Sequence, residues 1–259
     1  MTATLVVYSI LRKKHTTEVC DMSKETEKKK KIFTQEDVMK MLDTCYEKSK
    51  YGISKVSPPV EQFAEDYLKK NEDPKIAAKE MLKNQIAKCT TSGFITGFGG
   101  AITMPVSIPA NVGSVLYVQM RMIACTAYLA GYDLNSDQVQ TFVYACLAGV
   151  SVNEVIKQAG IKVGVKVANS VISKIPGKTL VKINQKVGFR FITKFGQKGV
   201  VNLSKLVPGV GALISGGLDF VETKVIADRA YKMFFEGDFS NSDVSKEEDI
   251  IDVEAVVEE

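Results

Sequence analysis

The sequence predicts an all-α protein, a compact multi-helix bundle whose central helices are apolar and glycine-rich. Three observations carry that expectation. Apolar residues recur at helical spacing through most of the chain, and few stretches alternate with period two. Cap signals stand where those runs begin, among them Thr34 with Asp37, Asp73-Pro74 and Ser136-Asp137. Glycine stands where they end, at Gly52, Gly131 and Gly237.

Taken in order, Thr34 opens a helix through "QEDVMKMLDTCYEKSKYG" that stops at Gly52. Pro58-Pro59 starts a second helix reaching about Lys70, and Asp73-Pro74 starts a third, "KIAAKEMLKNQIAKC". These three carry mixed charge and read as a surface layer over something more apolar. That element follows at once, because residues 89–120 contain no charged side chain. Gly93, Gly97 and Gly100 would let helices approach closely, and Pro105 and Pro109 interrupt the run. A longer helix, "NVGSVLYVQMRMIACTAYLAG", then reaches Gly131. The next runs from Ser136-Asp137 through "VQTFVYACLAGV". The basic region beyond it should hold two or three helices, separated at Pro176-Gly177, Gly188 and Gly196. A turn and a long helix ending near Gly237 close the pattern.

This organisation makes residues 1–32 a disordered basic leader, 33–238 one helical domain and 239–259 a disordered acidic tail. The opening "MTATLVVYSILRKKH" places its charges after a short apolar run, the reverse of a secretory signal, and Met22 offers a second start. Five cysteines, odd in number and without a CxxC pair, are expected to be free thiols in a reducing cytoplasm.

Charge is distributed unevenly. Residues 155–218 hold eleven Lys or Arg and no acid, whereas 236–259 hold ten acids and only Lys246, so the formal +4 conceals a strong separation. Within the basic region a cation recurs at every fourth position: Lys174, Lys178, Lys182, Lys186, Arg190, Lys194 and Lys198. Four residues advance 400° on an α-helix, so seven such cations on one straight helix would spread over about 240°. A break near Gly188 would instead yield two basic amphipathic segments, the second with Phe191, Ile192 and Phe195 on its packing side. The acidic tail is then either a weak built-in screen for these cations or a solubilising appendage.

One charge stands in an apolar setting. Arg121 lies within the helix ending at Gly131, where an unpaired guanidinium would be costly to bury. Asp219 and Glu222, three residues apart on the closing helix, are the expected partners of a buried polar clamp.

Signatures of catalysis are weak. "PGKT" at 176–179 lacks the glycine that a phosphate loop needs five positions before Gly177, where Ile172 stands. "GFGG" at 97–100 lies inside an apolar helical run, outside any strand–turn–helix context. The one histidine, His15, is in the leader, so neither a metal cluster nor a Ser-His or Cys-His pair is expected. No cofactor and no catalytic residue are assigned.

Two segments resemble a known family. "GFITGFGGAITMPVSIPANVGSVLYVQMRMIACTAYLAGYDL" is similar to the EcsC protein family in its glycine-rich helix, paired prolines, and helix bearing Arg121 and ending at Ala130-Gly131-Tyr132. "KLVPGVGALISGGLDFVETKVIADRAYKMFFEG" resembles that family's closing segment, with Pro208-Gly209-Val210-Gly211 before a helix carrying Asp219. The resemblance covers roughly residues 60–237. It implies a helical fold, a bacterial origin and a membrane connection, and it supplies no catalytic residue.

The function expected is therefore that of a non-enzymatic helical binding protein. Its seven-cation stripe would associate with anionic membrane lipid at the inner, cytoplasmic face of the cell membrane. Insertion of residues 93–130 competes poorly, because Thr, Ser, Asn and two prolines interrupt that run. An acidic protein is an alternative partner; nucleic acid is a weaker one, since no recognisable nucleic-acid-binding module is present. A third reading is an enzyme acting on a lipid-like substrate through Asp219 or Glu222.

Overall fold

The computed structural model describes residues 34–90, 110–158, 160, 172–195 and 222–240. The chain divides into Met1–Phe33 and Thr34–Glu259, and every described residue belongs to the second part. Among the described residues the fold is all-α. Helix α1 is Gln35–Tyr51, α2 Val60–Leu68, α3 Pro74–Thr90, α4 Ala110–Leu129, α5 Asp137–Ala148, α6 Asn153–Gln158 and α7 Gly177–Phe195. Helix α8, residues 222–231, runs into a π-helical turn at Lys232–Glu236. The extended pairing among the described residues is an isolated bridge between Ile53 and Ser57. The glycines expected to line central helices, Gly93, Gly97 and Gly100, lie outside the described residues.

Local sequence explains several of the helix ends. The Thr34 hydroxyl accepts from the Asp37 amide, and the Asp37 carboxylate accepts from the Thr34 amide, both at 3.1 Å. This reciprocal cap contributes on the order of 1 kcal/mol to α1. The Asp73 carboxylate takes the Lys75 amide at 2.8 Å at the start of α3. Helices α1, α5 and the closing turn stop at Gly52, Gly149 and Gly237.

Helix α4 is the centre. Residues 116–127 are buried without interruption, so this helix is enclosed on all sides and shows no solvent stripe. It packs against α1, α2, α3 and α5, which accounts for the mixed charge on the first three helices: their outer faces are the bundle's surface. No helix among the described residues is long and apolar enough to cross a membrane.

Polar contacts tie the layers in register. The Tyr46 hydroxyl donates to the Leu134 carbonyl (2.8 Å), and the Tyr144 hydroxyl donates to Asp43 (2.7 Å), joining α1 to α5 and to the turn before it. The two tyrosine rings meet edge to face at 5.8 Å. Gln119 of α4 donates to the Thr223 hydroxyl of α8 at 3.1 Å, with both residues buried.

Two sequence expectations are corrected here. Helix α7 continues through Gly188 without a break. A β-carbon at Gly188 would stand 3.3 Å from the Gln35 side chain, whose Nε2 donates to the Gln185 carbonyl at 3.2 Å. The glycine therefore marks a close approach of α1 to α7, and this packing outweighs its poor helix propensity of about 1 kcal/mol. The second correction concerns the tail. Phe239 was expected to begin a disordered segment, yet it is fully buried, with its ring 5.2 Å from that of Phe142. Its carbonyl accepts from the Val152 and Asn153 amides at 3.0 and 3.3 Å, supplying an acceptor at the start of α6.

Burial also sets a pH dependence. Cys45, Cys125 and Cys146 are buried thiols, and desolvation pushes each up to about 12. Burial likewise raises Tyr46 and Tyr144 above the ordinary tyrosine range, the latter further through its bond to Asp43. The folded state thus holds protons that the unfolded chain releases from about pH 8.5 upward. Stability is fully present below that value and falls as pH rises towards 12, by about 1.4 kcal/mol per pH unit for each group in that window. Thermal melts from pH 8 to 11 should show a steepening loss, and Cys146→Ala should flatten it. A melting temperature constant over this range would contradict the buried-thiol account.

Candidate cationic face and groove

With α7 unbroken, its cations share one helix. Lys178, Lys182, Lys186 and Arg190 are all exposed and span an arc of about 120° at 100° per residue. Lys174 is exposed in the turn just before the helix. Lys194 belongs to the last turn of α7, and Lys198 lies outside the described residues. The opposite side of α7 is buried through Leu180, Ile183, Val187 and Phe191, which hold the helix against α5, α1 and α6.

Sequence reading missed the most informative member of this face. The phenylalanines of the basic stripe, Phe189 with Phe191 and Phe195, were expected on the packing side, and for Phe189 the structure corrects this. On the continuous helix it falls about 20° from Lys178, within the cationic arc, and it is 64% exposed. Val181, 55% exposed, lies at the edge of the same face. Phe191, by contrast, is buried as expected. A helical wheel drawn without the break would have found Phe189; the glycine rule concealed it.

Between α7 and the start of α6 lies an open groove of about 710 Å³. Lys182, Lys186, Arg190 and Phe189 form one wall, with Val150 and Val155 facing them. Glu154 also lines it, a single carboxylate opposite three cations among the described lining residues.

The proposed clamp is only partly seen. Arg121 is buried, at 6% exposure, as expected. Its guanidinium donates to the Tyr117 hydroxyl at 3.1 Å and lies over the Phe63 ring at 4.4 Å. Tyr117 is held in turn by Ser57, 2.5 Å away. Glu222 is half-buried at the start of α8. Asp219 lies outside the described residues. The described surroundings of this buried cation are thus a phenol and an aromatic face, arrangements that suit the weakly hydrated guanidinium. A different polar contact, Gln119–Thr223, joins the central helix to the closing one.

The sequence model of the EcsC protein family matches residues 11–235. The chain belongs to the EcsC protein family. The match begins well before the 60–237 stretch on which the resemblance was first noted, so family membership extends over α1 and into the segment preceding it. No curated protein and no solved structure matches the chain. Within this family member, α4 and α8 carry the two motifs that resembled the family, and α7 lies between them in sequence.

Proposed function

We propose that this EcsC family member is a non-enzymatic binding protein that attaches peripherally to anionic membrane surfaces through the outer face of α7. The observation that carries the reading is Phe189, exposed among Lys178, Lys182 and Lys186 on one rigid helix. A solvated helix face ordinarily mixes carboxylates with lysines and carries few exposed phenyl rings. A lipid interface uses both: cations meet headgroup phosphates, and the ring enters the acyl boundary. Each engaged Lys or Arg contributes about 1 kcal/mol near an anionic leaflet. Burying the Phe189 ring adds roughly 1.5–3 kcal/mol. Four cations and the ring together suffice for reversible attachment.

Co-sedimentation with vesicles tests this. Binding is expected to vesicles containing phosphatidylserine and not to phosphatidylcholine alone, and it should weaken as salt rises. Phe189→Ser should reduce the affinity about tenfold or more. The triple reversal Lys182→Glu, Lys186→Glu, Arg190→Glu should abolish it. Equal vesicle binding of wild type and Phe189→Ser would remove the ring from the attachment, and absence of vesicle binding, or a preference for RNA in a parallel assay, would replace the lipid with an acidic protein or nucleic-acid partner.

A further inference from the structure

Resting on that reading, we propose that the acidic segment 241–259 of the same chain docks in the α6–α7 groove and holds the α7 cations away from anionic lipid. Three features converge on it. The groove sets Lys182, Lys186 and Arg190 beside the apolar side chains of Phe189, Val150 and Val155. Such a surface fits a ligand that mixes carboxylates with aliphatic side chains. The segment has that composition: eight acids against Lys246 alone, with Ile250, Ile251, Val253, Val256 and Val257 among them.

The third feature is where the chain leaves the described body. The Phe239 carbonyl is bonded to the amides of Val152 and Asn153, so Ser240 stands at the first turn of α6. Glu154 and Val155, the next residues of that turn, line the groove. The segment therefore starts at the groove's edge. Nineteen residues can span roughly 60 Å when extended, several times the separation of two packed helices. A tether this short and this close presents its charges at an effective concentration of about millimolar order. Glu154 opposes the incoming acids, which keeps the docking weak enough for a charged bilayer to displace it.

The experiment uses the full-length chain and a full-length variant, Glu247→Gln with Glu248→Gln, Asp249→Asn and Asp252→Asn. Two readouts separate this proposal from the membrane reading. The first needs no lipid: the acetylation rate of Lys182 and Lys186 by an N-hydroxysuccinimide ester, followed by peptide mass spectrometry. It should rise about threefold or more in the variant at low salt, and the difference should vanish at high salt. The second is affinity for phosphatidylserine vesicles, which should rise by a similar factor. Altered lysine reactivity without vesicle binding in either protein would sustain the docking and remove the lipid as its competitor. Vesicle binding with identical lysine reactivity and identical affinities would overturn the docking and leave the membrane reading standing. Protection that grows with protein concentration would also overturn it, since the acidic segment would then come from a second copy.

Discussion

The Phe239→Ala variant is expected to lose about 3–5 kcal/mol of folding stability, the range for truncating a fully buried aromatic ring. The ring is buried against Phe142 of α5, and its own carbonyl caps α6, so this residue joins two elements that local sequence does not hold together. Against the 5–15 kcal/mol typical of a domain, that loss is about a fifth of the total or more. Paired truncations sharpen the test. A chain ending at residue 240 should unfold cooperatively with a melting temperature close to that of the full chain. A chain ending at 238 loses both the ring and the carbonyl acceptor, and should be at least as destabilised as Phe239→Ala. Equal stability of the two truncations in urea would show that Phe239 is not part of the core.

Gly52→Ala carries the second large effect, about 3 kcal/mol or more, because two penalties add. The backbone there has φ 77° and ψ −178°, a region essentially reserved for glycine. A β-carbon would also stand 2.5 Å from the Ser57 carbonyl oxygen and 2.7 Å from the Pro58 carbonyl carbon. Both are main-chain atoms, and Ser57 is held by its hydrogen bonds with Ile53, so the loop has little room to yield. Any shift would move Ser57 away from Tyr117, and with it the shell around buried Arg121. Gly131→Ala is the control. It also has positive φ, at 84°, but an added β-carbon meets nothing within 4 Å, so its cost should be only about 1–2 kcal/mol. Similar urea midpoints for the two alanine variants would refute the steric part of the argument.

What the sequence by itself determined is the local architecture. Caps and glycine stops act over three or four residues, so Thr34, Asp73, Gly52 and Gly237 could be read from their immediate neighbours, and the structure places helix ends at each of them. The enclosure of α4 followed from a mainly apolar run in which Arg121 is the one charge, because a helix with apolar residues on every side has to be covered on every side. Family membership was likewise legible in the helix around Arg121 and in the closing segment.

Tertiary structure decided the points where two distant segments meet. Gly188 looked like a stop until Gln35, over 150 positions earlier, filled the space a side chain would occupy; its continuity moved Phe189 onto the cationic face. Phe239 looked like tail because a single aromatic residue in polar sequence has no local partner, and its partners lie in α5 and at the start of α6. Arg121 was legibly buried, but the shell described around it comes from Tyr117, one turn away, and from Phe63 in another helix. Propensity and periodicity report a residue's interactions with its own helix, whereas long-range packing is set by shape complementarity between surfaces that no window of sequence contains.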